Sequence, residues 1–286
     1  MNNSKCYLCG NSEIEIIHKG TRDNPNIDVL ECKKCGLVFL SSFDHIKDEV
    51  YEESEMHEEK KELDIEKYRE QTKDDDIRRV ESLKEIIRNK DILDFGCGNG
   101  GFIKYASNIA NSINGVELEK KERDYLKAEG FNVRKGLTGL NNKFDVITLF
   151  HVLEHLKDPI YNLNYLKNFL NEDGEIIIEV PNANDALLRL YKSQKFADFT
   201  YWSFHLYLYN KQTLKSLAKK CGLKVKWIKQ IQRYSLANHL YWLSEEKPGG
   251  HIKWTFMDDL EINKLYKEKL EDMNLCDTLM TSLVKV

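Results

Sequence analysis

The sequence predicts an α/β fold built on a mostly parallel sheet, with a small cysteine-bounded module ahead of it. Three observations carry this expectation. After Asn89, short apolar runs alternate with helical stretches, the rhythm of parallel strands joined by right-handed crossovers. The first run ends in a glycine-rich turn, Asp94-Phe95-Gly96-Cys97-Gly98-Asn99-Gly100-Gly101. Two CxxC pairs, Cys6/Cys9 and Cys32/Cys35, stand near the start.

The elements follow in chain order. Residues 1–45 read as the cysteine module, with short strands near 29–31 and 37–39. Residues 46–88 read as a helical linker. Its first part, about 47 to 76, is rich in Glu, Asp and Lys and is expected to be solvated. From Ile77 the apolar positions Ile77, Val80, Leu83, Ile86 and Ile87 recur at helical spacing, which gives one buried face. The core spans 89–286. Strands are expected at 92–95, 113–118, 133–135, 145–150 and 175–180, with helices near 102–107, 120–129 and 160–170. A further helix over 214–220 stops at Gly222, since glycine suits a helix end. Strands at 224–231 and 278–286 close the chain, with an insertion at about 237–275 between them.

Composition narrows the function classes. The chain has 286 residues, is 41% hydrophobic and carries a net charge of −4, enough for a core and no electrostatic reason for a polyanionic partner. No run approaches the roughly 18 apolar residues of a membrane span. The opening residues MNNSKCYLCG have no apolar core resembling a secretory signal, so a cytoplasmic enzyme is expected. Seven cysteines without a signal favour a reducing compartment and metal ligation over bridges. Paired CxxC knuckles place thiolates at the corners of a tetrahedron about 2.3 Å from a zinc ion. Cys6, Cys9, Cys32 and Cys35 are therefore expected to hold a structural Zn2+, with Gly10 and Gly36 in the knuckle turns. A redox dithiol pair would need a thioredoxin-like context, which the sequence lacks.

The glycine turn by itself leaves two cofactors open. Gly96, Gly98 and Gly101 satisfy the dinucleotide pattern, and Glu117 stands where a ribose-binding acid belongs. Asp94 favours a different ligand, because a dinucleotide site is normally apolar just before the turn. The rest of the chain resolves the choice. ILDFGCGNGGF, GVELEKK, KFDVITLFHVLEHLKDP and FLNEDGEIIIEVPN together resemble class I S-adenosylmethionine-dependent methyltransferases. The resemblance implies a Rossmann-like, seven-stranded, mostly parallel sheet with a reversed last strand, plus the small N-terminal zinc module. It implies that Asp94 holds the methionine part, that Glu117 takes the ribose and that Leu118 packs on adenine. Gly96, Cys97, Gly98, Gly100, Phe102 and Phe150 complete the expected cofactor set. One departure concerns the stretch after the third strand, Lys135-Gly136-Leu137-Thr138, which lacks the family's adenine-binding acid. Backbone groups or Thr138 are left for that contact.

Methyl transfer to a hydroxyl or amine requires an aligned nucleophile and removal of its proton. His151-Val152-Leu153-Glu154-His155 follows the fourth strand, at the edge where open parallel sheets place their sites. His155 is the candidate general base, since its pKa lies near neutrality; Glu154 is its orienter or a substrate ligand, and His151 is a second candidate. The alternative is that Glu154 and His155 cap the helix near Asp158 or contact cofactor through the backbone. Downstream, His205 lies in an aromatic run, and Arg233, Tyr234, Asn238 and His239 offer donors and rings for a polar acceptor. The run CKKCGLVF leading to Tyr51 is also similar to zinc-bearing sugar methyltransferases, including deoxysugar C-methyltransferases, which implies a substrate or cofactor contact by Tyr51. The C-methylating members carry a further C-terminal domain, so O- or N-methylation of a sugar, nucleotide-linked or sugar-linked group of surface polysaccharide is expected. RNA methylation and a non-catalytic binding protein are the alternatives; nucleic acid is disfavoured by the acidic charge.

Overall fold

The computed structural model describes residues 5–46 and 64–286. The chain opens with three antiparallel strands, β1 (Ile14–His18), β2 (Val29–Cys32) and β3 (Val38–Leu40). Helix α1 (Ile65–Ile87) begins at Asp64, whose side chain accepts from the Glu66 amide and satisfies one otherwise orphaned donor. The core then runs β4 (Asp91–Phe95), α2 (Gly101–Ala106), β5 (Ser112–Val116), α3 (Lys120–Ala128) and β6 (Asn132–Arg134). It continues through β7 (Phe144–Phe150), α4 (Pro159–Lys167) and β8 (Leu170–Pro181). Two short helices, α5 (Ala186–Arg189) and α6 (Gln194–Thr200), precede β9 (Tyr207–Leu208), α7 (Lys211–Lys220) and β10 (Leu223–Ile231). Helices α8 (Leu236–Glu245), α9 (Gly250–Lys253) and α10 (Leu260–Met273) form the insertion before β11 (Thr278–Lys285).

Seven strands make one sheet in the order β10-β11-β8-β7-β4-β5-β6, and β11 alone runs against its neighbours. This is the expected Rossmann-like sheet. Strands buried on both faces need nearly unbroken apolar sequence, and Ile147, Leu149, Ile176, Ile177 and Ile178 are all fully buried. Strand β4 has β5 on one side and β7 on the other. The carboxyl ends of those strands therefore open onto a crevice at the point where the strand order reverses. Since β10 is parallel to β8 across β11, the insertion starts from the same edge.

Two features differ from the sequence reading. The cysteine module does not close on itself: its sheet has the order β1-β2-β3-β9, with Val38 opposite Leu208 and Phe39 opposite Tyr207. An open strand edge needs a partner, and the core supplies it. The segment read as a solvated linker is, over its described part, a packed helix. Ile65, Arg69, Asp76, Arg79, Val80, Leu83 and Ile87 are buried at helical spacing on α1. Val80, Leu83 and Ile87 join Ile92, Phe102, Val146 and Ile177 in one cluster, each such side chain contributing about 1.5–3 kcal/mol.

Candidate active site

The turn after β4 is shaped by its neighbours. Asp94 is buried, and the Thr148 hydroxyl on β7 donates to its Oδ1 at 2.6 Å. Burial pushes the Asp94 carboxyl up to about 7, with Thr148 pulling the other way. Gly96 has φ +78°, and a Cβ there would lie 2.5 Å from Val152 Cγ2. The Gly98 amide donates to Glu117 Oε2 at 2.8 Å, while Glu117 Oε1 accepts from the Glu119 amide at 2.7 Å. Beside Glu117 opens a cleft of about 420 Å³ lined by Leu118, Arg134, Lys135, Gly136 and Thr138. A buried acid, an acid at a strand end and an apolar-lipped cleft suit a ligand with a cationic end, hydroxyls and a flat ring. S-adenosylmethionine has those three parts.

Not every predicted loop residue faces that cleft. Cys97 is buried with Ile103, Leu126 and Val133, and a Cβ on Gly100 would meet Leu126 Cδ2 at 2.2 Å. Phe102 packs edge-on against Phe150, with ring centroids 4.8 Å apart, and lies in the cluster beneath α1. These positions hold the turn against its surroundings.

Beyond β7 the chain bends sharply, with His151 at φ +55°, and Leu153–His155 form a short 3-10 turn. Glu154 is fully buried; its Oε1 lies 3.2 Å from His151 Nδ1, and its Oε2 has no hydrogen-bond partner among the described residues. His155 Nδ1 donates to the Phe204 carbonyl at 2.8 Å, so the basic nitrogen of the neutral ring is Nε2. The His205 ring lies 5.1 Å from the His155 ring, and its buried Nδ1 has no hydrogen-bond partner among the described residues. Burial holds His155 below the ordinary histidine value and pushes His205 down to about 3. His151 goes the other way: burial lowers it, but Glu154 and Glu179 raise it more. Burial would raise Glu154, yet His151 and the neighbouring imidazoles leave it below the usual carboxylate range. Neither Glu154 nor His155 caps α4; Asp158 does, accepting from the Tyr161 amide at 2.9 Å.

The cysteine module reaches this edge. Arg22 lies over the Trp202 ring at 4.5 Å. The Asp23 carboxylate accepts from the Ser203 amide at 3.0 Å and its hydroxyl at 2.6 Å, and His45 Nε2 donates to the Ser203 carbonyl at 2.7 Å. Within the module, Cys6 Sγ is 3.5 Å from Cys35 Sγ and Cys9 Sγ is 3.5 Å from Cys32 Sγ. The four sulfurs lie within 4.8 Å of one another, close to the roughly 3.8 Å edge of a zinc tetrathiolate. The donor set fits Zn2+.

Several expected substrate residues are spent elsewhere. Arg233 Nε bonds Asp277 at 3.2 Å and its Nη1 reaches Asp75 at 3.4 Å. Asn238 Oδ1 accepts from the His251 amide at 3.2 Å. His239 is buried against the Tyr266 hydroxyl at 2.7 Å and Gln232 at 3.2 Å, and Tyr234 leans on the His251 ring. These contacts brace the insertion, because buried polar atoms must find partners nearby. Tyr51 lies outside the described residues. Missed by sequence reasoning were Thr148, Arg22 and a buried group around Glu179. The last had a visible signal, an acid inside the apolar run Ile176-Ile177-Ile178-Glu179-Val180.

A sequence profile described as a methyltransferase domain matches residues 65–226. Ubiquinone biosynthesis O-methyltransferase of Glaesserella parasuis is 28% identical over 109 residues, 32% of this chain and 46% of that protein. The tRNA U34 carboxymethyltransferase of Campylobacter fetus is 32% identical over 111 residues, 34% of this chain and 39% of that protein. The chain thus spans about half the length, or less, of these curated relatives. Two solved structures share the fold. One is a chain from the complex of the Haloferax volcanii Trm112 methyltransferase activator with a methyltransferase: TM-score 0.53, 13% identity, covering 76% of this chain and 93% of that one. The other is the plantazolicin methyltransferase BamL with a substrate analogue and S-adenosylhomocysteine: TM-score 0.52, 16% identity, covering 83% and 93%. With more than half of its length inside the profile, and the seven-stranded sheet around the turn, the chain belongs to the methyltransferase domain family.

Proposed function

We propose that this enzyme methylates an oxygen or nitrogen of a small polar acceptor, a sugar or a nucleotide- or sugar-linked group of cell-surface polysaccharide. The observation that carries the reading is His155, an imidazole kept neutral at the carboxyl end of β7 with its Nδ1–H fixed on Phe204. Asp94, Gly96, Gly98, Glu117 and Leu118 hold the methyl donor, and Thr138 with the backbone near Gly136 borders its adenine. S-adenosylmethionine supplies an electrophilic methyl carbon on a sulfonium. His155 Nε2 takes the proton of the acceptor hydroxyl or amine as its oxygen or nitrogen bonds that carbon, and S-adenosylhomocysteine leaves. Glu154 stabilises the imidazolium that forms. Arg22, Trp202 and His205 line the acceptor side, and a structural Zn2+ on Cys6, Cys9, Cys32 and Cys35 holds Arg22 in place.

A second reading, RNA methylation, draws on the tRNA-modifying relative. The net charge of −4 speaks against it, because phosphate contacts need Lys and Arg. Two assays decide. Replacing His155 with Ala is expected to leave S-adenosylhomocysteine affinity intact and to cut turnover at least about a hundredfold; unchanged turnover removes His155 from the mechanism. Release of S-adenosylhomocysteine with sugar nucleotides supports the polar-acceptor reading. Release with RNA only, accompanied by binding that weakens steeply with salt, replaces it with the second.

A further inference from the structure

A chain of polar contacts outside the proposed chemistry joins the donor turn to the acceptor edge. It starts at the turn, where the Gly101 amide donates to Asn99 Oδ1 at 3.0 Å and Asn99 Nδ2 donates to Thr72 Oγ1 at 3.0 Å. Thr72 donates to Asp76 Oδ2 at 3.2 Å, and Arg79 Nη1 bonds Asp76 Oδ1 at 2.9 Å. Arg79 Nε then donates to Glu179 Oε1 at 2.9 Å, and Arg78 holds the same carboxylate at 2.9 and 3.0 Å. Glu179 is fully buried, and its Oε1 lies 3.4 Å from His151 Nε2, within ion-pair distance but without hydrogen-bond geometry. His151 in turn meets Glu154. A side chain at Gly101 would put its Cβ 2.0 Å from Asp76 Oδ2, so α1 sits directly on the turn.

Two arginines and an imidazole on one buried carboxylate exceed what docking a helix requires. Apolar packing would dock α1 without the desolvation that buried charges carry. In low dielectric such a network has few satisfied arrangements, so a change at one end is felt at the other. We propose that α1 couples the two halves of the active site: seating of the methyl donor on the glycine turn fixes His151 and Glu154 through Asp76, Arg79 and Glu179, which act as positioning residues. This rests on the reading of the turn as the donor site.

The test uses the full chain, S-adenosylhomocysteine as the probe, calorimetry for affinity and NMR of the His151 imidazole. Glu179 makes no hydrogen bond or ion pair with the described turn residues, yet Glu179→Gln is expected to weaken binding of the probe about tenfold. Thr72→Val is expected to weaken it similarly, and the double variant no further than the worse single, the mark of one shared unit. Adding the probe should move the His151 signals in the wild type and move them less in Thr72→Val, which also decides the matter if Glu179→Gln does not fold. Affinity in Glu179→Gln within twofold of wild type, additive losses, or an unchanged His151 response in Thr72→Val overturns the coupling. A lowered melting temperature with unchanged affinity would make the network a brace only. Failure of the wild type to bind the probe would instead overturn the donor site, and the coupling with it.

Discussion

Gly96 shows how tightly single residues are constrained where donor and acceptor sides meet. Its φ of +78° disfavours any side chain, and an added Cβ would lie 2.5 Å from Val152, the residue after His151. Gly96→Ala is therefore expected to cost about 2–3 kcal/mol by denaturant unfolding, from backbone strain together with overpacking. It should also abolish S-adenosylhomocysteine binding, because relief of the clash must move the turn. Asp94 is constrained by charge instead. Burial lifts its carboxyl to about 7, so near neutrality part of the protein carries that proton. A cationic amino group beside Asp94 would favour the carboxylate. Donor binding should then expel a fraction of a proton near pH 7, read as a binding enthalpy that varies with the ionisation enthalpy of the buffer. In Asp94→Asn that variation should vanish; its persistence would place the linked proton elsewhere.

At the scale of elements, the local pattern announced β4, β7, β8 and β11, because a strand buried on both faces leaves an apolar run that needs no knowledge of its neighbours, while the edge strand β10 showed itself by alternating lysines with apolar residues. It did not announce β9, two residues long and a strand only because Val38 and Phe39 pair with it. Long-range pairing of this kind has no local signature. Helix α1 was half legible. Its apolar stripe was visible, but Arg69 and Asp76 read as solvated charges, and Arg79 drew no reading, until their partners on the turn and on β8 were in place. The same split runs through the proposed site, where motifs suggested Asp94, Glu117 and His155 while Thr148 and Glu179 required the sheet. Because β9 and Ser203 tie the cysteine module to the acceptor edge, stripping the metal should disturb that edge and spare the donor turn. Chelation, or Cys35→Ser, is expected to red-shift Trp202 fluorescence, with Trp202→Phe as the control, and to change S-adenosylhomocysteine affinity less than about threefold. An unchanged Trp202 signal would show that the module does not depend on metal.

Across the whole molecule, buried titratable groups of opposite tendency set how stability responds to pH. Burial pushes His205 from 6.5 down to about 3 and His239 down to about 4. The unfolded chain therefore binds more protons than the folded one between those values and 6.5, and stability falls as pH drops through that window. Asp94 and Asp185 have the reverse sign. Burial lifts them from 3.8 to about 7 and about 8, so the folded chain keeps protons that the unfolded chain releases. Their contribution is fully present below about 4 and is lost as pH rises toward 8. Between about 4 and 6.5 the two pairs oppose each other. Above 6.5 the histidine pair no longer changes, and the aspartates act together with His151, whose raised value has the same sign. The melting temperature of the unliganded enzyme should accordingly be nearly flat from pH 5 to 6.5 and decline from 6.5 to 8. Asp94→Asn should remove part of the decline and leave the part due to Asp185, which borders the insertion rather than the donor turn. Saturating S-adenosylhomocysteine should flatten the same part, since its amino group would compensate the ionised Asp94. A melting temperature that rises from pH 6.5 to 8 would mean that neither aspartate keeps its proton in the folded chain.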